Sequence, residues 1–117
     1  MNEKMTPSIS LHVLVADDER SIRLMLESGL KLHGFQVTSV PTGSKALEVA
    51  RHGGIDAVLS DIYMPDGGGL DLVRDLHQID PTIPIILMTA QGSVEAAVRA
   101  MAEGATDFIG KPLTLRP

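Results

Sequence analysis

The sequence contains no cysteine and no tryptophan, and aromatic residues make up only 3% of its 117 residues. The absence of cysteine excludes disulfide bonds, thiol catalysis and thiolate metal sites, and it fits a reducing compartment. No apolar run approaches the roughly 20 residues that a membrane-spanning helix requires, and residues 1–10 lack the apolar segment of a signal peptide. We therefore expect a soluble, cytoplasmic protein.

Positive charge is also scarce, because 10 lysine and arginine residues face 15 aspartate and glutamate residues, for a formal net charge of -5. This charge disfavours direct contact with nucleic acid or an anionic membrane. The composition, 44% hydrophobic and 21% charged, is that of a globular protein. A chain of this length buries about two-thirds of its unfolded surface around a single core. The sequence predicts one domain over residues 11–117 after a leader of residues 1–10.

Short apolar runs alternate with stretches of helical periodicity. The runs are mostly continuous, as in strands buried on both faces, and they cover residues 11–16, 35–40, 57–60, 83–88 and 106–109. Residues that favour helix ends bound the stretches between them, at Gly34, Thr42, Gly53-Gly54, Pro81, Ser93 and Gly104. This alternation predicts right-handed βαβ units in a parallel α/β sheet with helices on both faces. For the fourth helix, the spacing assigns the core-facing side to Val94, Ala97, Val98 and Met101.

In open parallel sheets, ligands bind beyond the carboxyl ends of the strands. The residues at these predicted ends are three carboxylates, a hydroxyl and an ammonium, namely Asp17, Asp18, Asp61, Thr89 and Lys111. Oxygen ligands without cysteine or nearby histidine favour Mg²⁺ or Mn²⁺ over zinc. The Asp61 carboxylate can also act as a nucleophile on phosphorus. The pattern predicts a metal-assisted phosphoryl site, with Asp18 and Asp61 as direct ligands and Asp17 bound through water.

Asp17 and Asp18 alone have a second interpretation. Acidic residues before a helix commonly cap it and interact favourably with its dipole. Only their combination with the other strand-end residues favours the metal site.

Four motifs resemble the receiver domain of two-component response regulators, over the chain from Val13 to Leu113. They are D-D-E at 17–19, D-I-Y-M-P-D-G-G-G-L at 61–70, M-T-A at 88–90 and G-A-T-D-F-I-G-K-P at 104–112. The resemblance implies a flavodoxin-like doubly wound five-stranded parallel sheet of order 2-1-3-4-5, an order taken from such domains and not worked out from these residues. Residues 92–108 resemble receivers attached to AAA+ transcriptional activators of the nitrogen-regulation type.

The resemblance also implies a chemical role for each matching residue. Asp61 would accept a phosphoryl group from a phosphohistidine of a histidine kinase or histidine phosphotransfer protein, and slow autodephosphorylation would follow. Thr89 would hydrogen-bond a phosphoryl oxygen, and Lys111 would pair with the phosphoryl charge. Magnesium would be held by Asp17, Asp18, Asp61 and the backbone carbonyl of Tyr63.

Further implied roles concern switching and the lifetime of the phosphorylated state. Phe108 occupies the aromatic switch position and would move with Thr89, although a core ring is an equally good interpretation. The peptide bond between Lys111 and Pro112 would be cis. The Tyr63 ring would hinder the attacking water, and Gln91 would lie near the same path.

The family's fifth helix would follow Lys111, after which only six residues remain. Residues 113–117 can form one turn at most, and Pro117 fits poorly in a helix. We therefore expect the fifth helix to be largely missing, with the domain truncated before or within it. The apolar face left open would favour self-association.

Two other functions fit parts of the pattern. Phosphatases of the haloacid-dehalogenase group also use an aspartyl phosphate. Their pattern is different, with a D-x-D motif after the first strand that contains the nucleophile, and they need a cap domain that 117 residues cannot provide. An interaction module that works without phosphorylation would not need Asp61, Thr89 and Lys111 together. The sequence favours a phosphorylation-activated switch, enzymatic only towards itself, that regulates an output domain or partner, most simply in transcription.

Overall fold

The computed structural model describes residues 10–64, 66, 69–89 and 94–111. Within them, strands and helices alternate along the chain, as the sequence predicts. The strands are β1 (His12–Ala16), β2 (Gln36–Val40), β3 (Ala57–Asp61), β4 (Ile85–Thr89) and β5 (Asp107–Gly110). The helices are α1 (Arg20–Leu32), α2 (Gly43–Arg51), α3 (Gly69–Ile79) and α4 (Val94–Ala102).

The strands form one parallel sheet in the order β2-β1-β3-β4-β5. This order confirms the flavodoxin-like doubly wound fold. The pairing places Asp61 beside Met88 and Thr89 beside Gly110, so the carboxyl ends of β3, β4 and β5 are aligned. Strand order reverses between β1 and β3, and the crevice at such a reversal is where ligands bind in open α/β sheets.

The core lies on both faces of the sheet because successive side chains of a strand point to opposite faces. On one face, Leu14 and Leu87 belong to the larger cluster, which includes buried residues of α2, α3 and α4. On the other face, Val15 and Met88 pack with Leu26 of α1. The prediction of strands buried on both faces holds for β1, β3 and β4. It is wrong for β2 and β5, which are more exposed because each is an edge strand with one neighbour.

Helix α4 packs on the sheet through small residues. The buried side chains are Ala96, Ala97 and Ala100, whereas Val98 is 58% exposed and Met101 is also exposed. The predicted face was therefore right for Ala97 and wrong for Val98 and Met101. Because alanine side chains are small, a helix that packs through them can approach its neighbours closely, and apolar periodicity alone does not reveal this preference.

Local signals correctly marked several helix ends. The Thr42 side chain accepts a hydrogen bond of 3.2 Å from the Lys45 N–H at the start of α2. Gly34 follows α1 with a φ of 93°, and Gly104 follows α4 with a φ of 114°. Gly104 is also confined by space, because a Cβ atom there would lie 2.9 Å from Nδ1 of His77.

Some predictions fall outside the described residues. They concern the leader, the Ser93 cap, Gln91, the Lys111–Pro112 peptide bond and the fifth helix. Within the described part of the chain, no helix has the length and apolar character needed to cross a bilayer.

The packing of α4 predicts unequal effects of the same introduced residue, leucine, at its buried and exposed positions. Ala100→Leu inserts a large side chain where the residue is fully buried, and we expect a loss of about 1–3 kcal/mol in unfolding free energy. The matched change Val98→Leu lies on the exposed side and should alter stability by less than about 0.5 kcal/mol. Urea unfolding followed by circular dichroism measures both. Equal destabilisation by the two changes would show that the helix face is assigned incorrectly.

Candidate functional site

The site lies where the carboxyl ends of the strands meet. Asp17 directly follows β1, Asp61 and Thr89 end β3 and β4, and Lys111 directly follows β5. Backbone hydrogen bonds continue past the strand ends, because Asp17 N–H donates to the Val40 carbonyl and Lys111 N–H to the Thr89 carbonyl, at 3.1 and 2.7 Å. These bonds hold the functional side chains at one edge of the sheet.

Three carboxylates form an acidic cluster at this edge. Asp17, Asp18 and Asp61 each offer an oxygen within 4.8 Å of the others. Asp17 is 0% exposed and Asp61 is 8% exposed, whereas Asp18 faces solvent. The structure therefore brings together the three acidic residues that the sequence singled out.

Lys111 is the cation of this cluster. Its Nζ atom lies 2.9 Å from Oδ2 of Asp17 and 3.3 Å from Oδ2 of Asp61. A third carboxylate contact, from Nζ to Oε1 of Glu19, is longer at 3.9 Å. One ammonium group thus faces several carboxylates, and the local charge is negative.

This imbalance affects proton binding by both Asp61 and Lys111. Burial raises the pKa of Asp61, and the charge of Lys111 opposes this effect while the charge of Asp17 adds to it. The backbone N–H of nearby Tyr63 acts to lower the pKa of Asp61 slightly by favouring its ionised form. For Lys111, burial acts to lower the pKa, but contact with Asp17 and the charges of Asp61 and Asp17 outweigh it, so the pKa is raised. Lys111 therefore stays charged while Asp61 resists ionisation.

Asp17 shows that the residues fit a bound cation. Its Oδ1 accepts a hydrogen bond of 2.9 Å from the Glu19 N–H. Its buried Oδ2 lacks a well-directed hydrogen bond, and the Lys111 ammonium beside it forms an ion pair instead. Leaving a buried carboxylate oxygen without a hydrogen bond is costly. A hard divalent cation with oxygen ligands would complete this site.

The capping interpretation of Asp17 accounts for only part of this geometry. Helix α1 has Glu19 at its N-cap position, and the Glu19 side chain makes no capping hydrogen bond. Asp17 Oδ1 accepts a hydrogen bond from the Glu19 N–H, which is one of the free donors at the helix start, but this bond does not explain the buried Oδ2 beside Lys111.

Three other predicted residues surround the cluster. Thr89 is nearly buried, and Tyr63 is 60% exposed although it lies two residues after Asp61. Phe108 is partly buried and packs against the larger core cluster. This position agrees with the core interpretation of Phe108, and its switch role stays a prediction.

The sequence by itself assigned no role to two charged residues that contact the acidic cluster or the residues around it. Arg23, in the first turn of α1, donates from Nη1 to the Asp17 carbonyl at 2.8 Å. Glu19 stands in the quoted D-D-E motif, and its side chain reaches Lys111. The motif signals that Glu19 is near the site, but only the fold shows which residue it contacts.

Asp66 anchors the loop that follows Asp61. Its carboxylate accepts hydrogen bonds from Gly43 N–H at 3.0 Å, Ser44 N–H at 2.8 Å and the Ser44 hydroxyl at 2.6 Å. The Ser44 hydroxyl and N–H, followed by the Gly43 N–H, hold the pKa of Asp66 below its usual value. This loop is therefore attached to the start of α2, a contact that no local sequence signal indicates.

The fold and the site together define a flavodoxin-like α/β domain with an acidic pocket and a lysine at its carboxyl edge. Comparison with protein families narrows this class. The response regulator receiver domain family matches residues 13–116. The chain belongs to this family, as the resemblance of its motifs implied.

Similar proteins are largely transcriptional regulators. The chain is 40% identical over 103 residues to the DNA-binding transcriptional regulator NtrC of Escherichia coli K12, an alignment that covers 88% of this chain and 22% of NtrC. It is 35% identical over 104 residues to the uncharacterized transcriptional regulatory protein YkoG of Bacillus subtilis, covering 89% and 46% of the two chains. The chain thus spans less than half the length of these curated relatives.

Solved structures agree with this assignment. The crystal structure of a response regulator receiver domain protein from Clostridium thermocellum is similar with a TM-score of 0.86 at 31% identity, covering 90% of this chain and 85% of that one.

The negative charge of the site predicts that Asp61→Asn stabilises the metal-free domain at pH 7. Because the pKa of Asp61 is raised in the folded state, its ionisation lowers stability as pH rises above the unfolded value of about 4, and this loss persists at neutral pH. Urea unfolding with a chelator should show a higher midpoint for Asp61→Asn at pH 7, and a smaller advantage near pH 4. The exposed residue Glu95 of α4, changed to Gln, is the control. A lower midpoint for Asp61→Asn at pH 7 would contradict the charge assignment.

Proposed function

We propose that this domain is a phosphorylation-activated switch that accepts a phosphoryl group on Asp61 in a magnesium-dependent reaction. The supporting observation is the position of the Asp61 carboxylate, at the carboxyl end of β3 with Lys111 Nζ 3.3 Å away. Asp17 and Asp18 each have a carboxylate oxygen within 4.8 Å of one on Asp61, close enough for the three residues to bind one metal ion. A nucleophilic carboxylate, an ammonium and two further acids on one edge are the groups that phosphoryl transfer to a carboxylate requires.

In the proposed reaction an Asp61 oxygen attacks phosphorus and forms a P–O bond. The P–N bond to the donor imidazole breaks, and its electron pair remains on the ring, which takes up a proton. Lys111 would pair with a phosphoryl oxygen, and the Thr89 hydroxyl would donate to another. Asp17, Asp18, Asp61 and the Tyr63 carbonyl would hold Mg²⁺, which would supply positive charge to neutralise the transferring group. Water attack on the same phosphorus would later release the Asp61 carboxylate.

The output would be a shift between two conformations. The acyl phosphate would carry up to about two negative charges where the Asp61 carboxylate carries one, and this change would bias the position of Thr89 and, through it, the partly buried Phe108. The surface that we expect to respond consists of α4 and β5, where Val98 and Ile109 are exposed.

The proposed partners are a phosphohistidine protein and an output module. The donor would be a histidine kinase or histidine phosphotransfer protein. The relatives named above are transcriptional regulators of which this chain matches only a part. We therefore propose that the switch controls transcription through an output domain or partner protein. The formal charge of -5 disfavours direct contact of this domain with nucleic acid.

Covalent labelling tests the function directly. Wild-type protein incubated with acetyl phosphate and Mg²⁺ should gain the mass of one phosphoryl group, located at Asp61 by peptide analysis. Asp61→Asn should not be labelled, and a chelator should prevent labelling of the wild type. Labelling of Asp61→Asn at the wild-type rate, or labelling without divalent metal, would overturn the proposal.

Tyr63 is expected to prolong the phosphorylated state. Its exposed ring lies two residues after Asp61, where it would obstruct the water that attacks the phosphoryl group. We expect Tyr63→Asn to lose the phosphoryl group several-fold faster than wild type, and Tyr63→Phe, which keeps the ring, to resemble wild type. The decay of the phosphorylated mass after donor removal measures both rates. An equal or slower rate in Tyr63→Asn would refute the shielding role.

A further inference from the structure

We infer that Glu19 is a specificity-determining residue that disfavours small anionic phosphoryl donors relative to a phosphoryl group delivered by a protein partner. This inference rests on the proposed function, because it concerns which donors reach Asp61. It depends on the position of Glu19, its contact with Lys111 and the charge balance of the pocket.

The backbone places Glu19 beside the pocket. Its N–H donates to Oδ1 of buried Asp17 at 2.9 Å, and the residue forms the N-cap of α1. The contact with Asp17 and the start of α1 therefore fix the position of the Glu19 backbone, from which its side chain extends. This side chain makes no capping hydrogen bond, and its Oε1 atom contacts Lys111 Nζ instead.

The side chain adds a carboxylate at the solvent side of the cluster. Oε1 of Glu19 lies 3.9 Å from Lys111 Nζ, and the Glu19 side chain is 59% exposed whereas that of Lys111 is 13% exposed. A surface ion pair of this length contributes little to folding. The charge of Glu19 matters more to an approaching charged molecule, because this exposed carboxylate lies beside the only ammonium that contacts the described cluster.

The charge balance shows why this one carboxylate matters. Asp17, Asp18, Asp61 and Glu19 carry four negative charges when ionised, and the nearby cations are Lys111 and Arg23. A divalent cation would bring this local balance to zero with Glu19 present, and would leave one surplus positive charge without it. The net charge of the whole chain, -5, has the same sign as Glu19. An anionic donor therefore meets little local attraction.

A protein donor is affected less by this charge. Contacts made at a distance from the reacting atoms contribute binding energy that offsets repulsion at the site. A small anion such as acetyl phosphate has no such contacts, so its capture depends on the local field. Glu19 would thus slow phosphorylation by small free donors and have little effect on phosphoryl transfer from a partner protein.

The test compares phosphorylation rates of Glu19→Gln, Glu19→Asp and Glu103→Gln with wild type, at saturating Mg²⁺ and low ionic strength. Glu19→Gln removes the charge with little change in size, and Glu19→Asp keeps the charge. Glu103 follows α4 and precedes β5, so it lies towards the opposite edge of the sheet, and its change to Gln alters the net charge equally.

With acetyl phosphate, we expect Glu19→Gln to react about two- to fivefold faster than wild type. The gain should appear in the donor concentration for half-maximal rate and leave the maximal rate unchanged. It should shrink in about 0.5 M salt, where charges are screened over a few ångströms, and be smaller with the less anionic donor phosphoramidate. Glu19→Asp and Glu103→Gln should stay close to wild type.

Several results would overturn the inference. They are a Glu19→Gln rate equal to or below wild type, an equal gain in Glu103→Gln, or a gain that high salt does not reduce. These results are distinct from failure of the proposed function, in which the wild type itself would not be labelled at Asp61 by either donor.

Discussion

The contact of Lys111 with two buried or nearly buried carboxylates is the interaction on which the rest of the structure depends. Asp17 and Asp61 have the same charge, and placing them together out of water costs several kcal/mol per ion unless a cation pairs with them. Lys111 Nζ lies within 3.3 Å of both. Because Lys111 directly follows β5, this compensation exists only when β5 pairs with β4 at the end of the sheet. The sheet order and the charge of the pocket therefore constrain each other.

Lys111 does not fully compensate the buried carboxylates, and this is consistent with the proposed chemistry. The buried Oδ2 of Asp17 lacks a well-directed hydrogen bond, and the pKa of Asp61 is raised by burial. Groups on different helices hold the surrounding loops in spite of this strain, since Arg23 of α1 binds the Asp17 carbonyl and the start of α2 binds Asp66. A rigid frame thus surrounds a site with excess negative charge. A divalent cation would offset this excess of negative charge.

Comparison with the structure shows which features of the fold could be predicted from the sequence. The alternation of strands and helices was correct, and the sheet order was correct through the family resemblance. The core face of α4 was partly wrong, because hydrophobicity ranks Val98 above Ala100 whereas the fold buries Ala100 and leaves Val98 exposed. Exposure of β2 and β5 was underestimated because an apolar run does not reveal whether its strand has neighbours on both sides. Glu19 was quoted in a motif but received no role, since its partner Lys111 is remote in the chain.

The sequence by itself determined the features that depend on residues close together in the chain. Apolar periodicity, the Thr42 cap and the glycine at position 34 specify where elements begin and end, and the residue after each strand follows from those limits. Only the tertiary structure decided which carboxylate is buried, that Lys111 contacts Asp17 more closely than Asp61, and that Asp66 attaches to α2. These contacts join residues that are distant along the chain. Their distances result from the packing of helices on a twisted sheet, and local propensities carry no information about that packing.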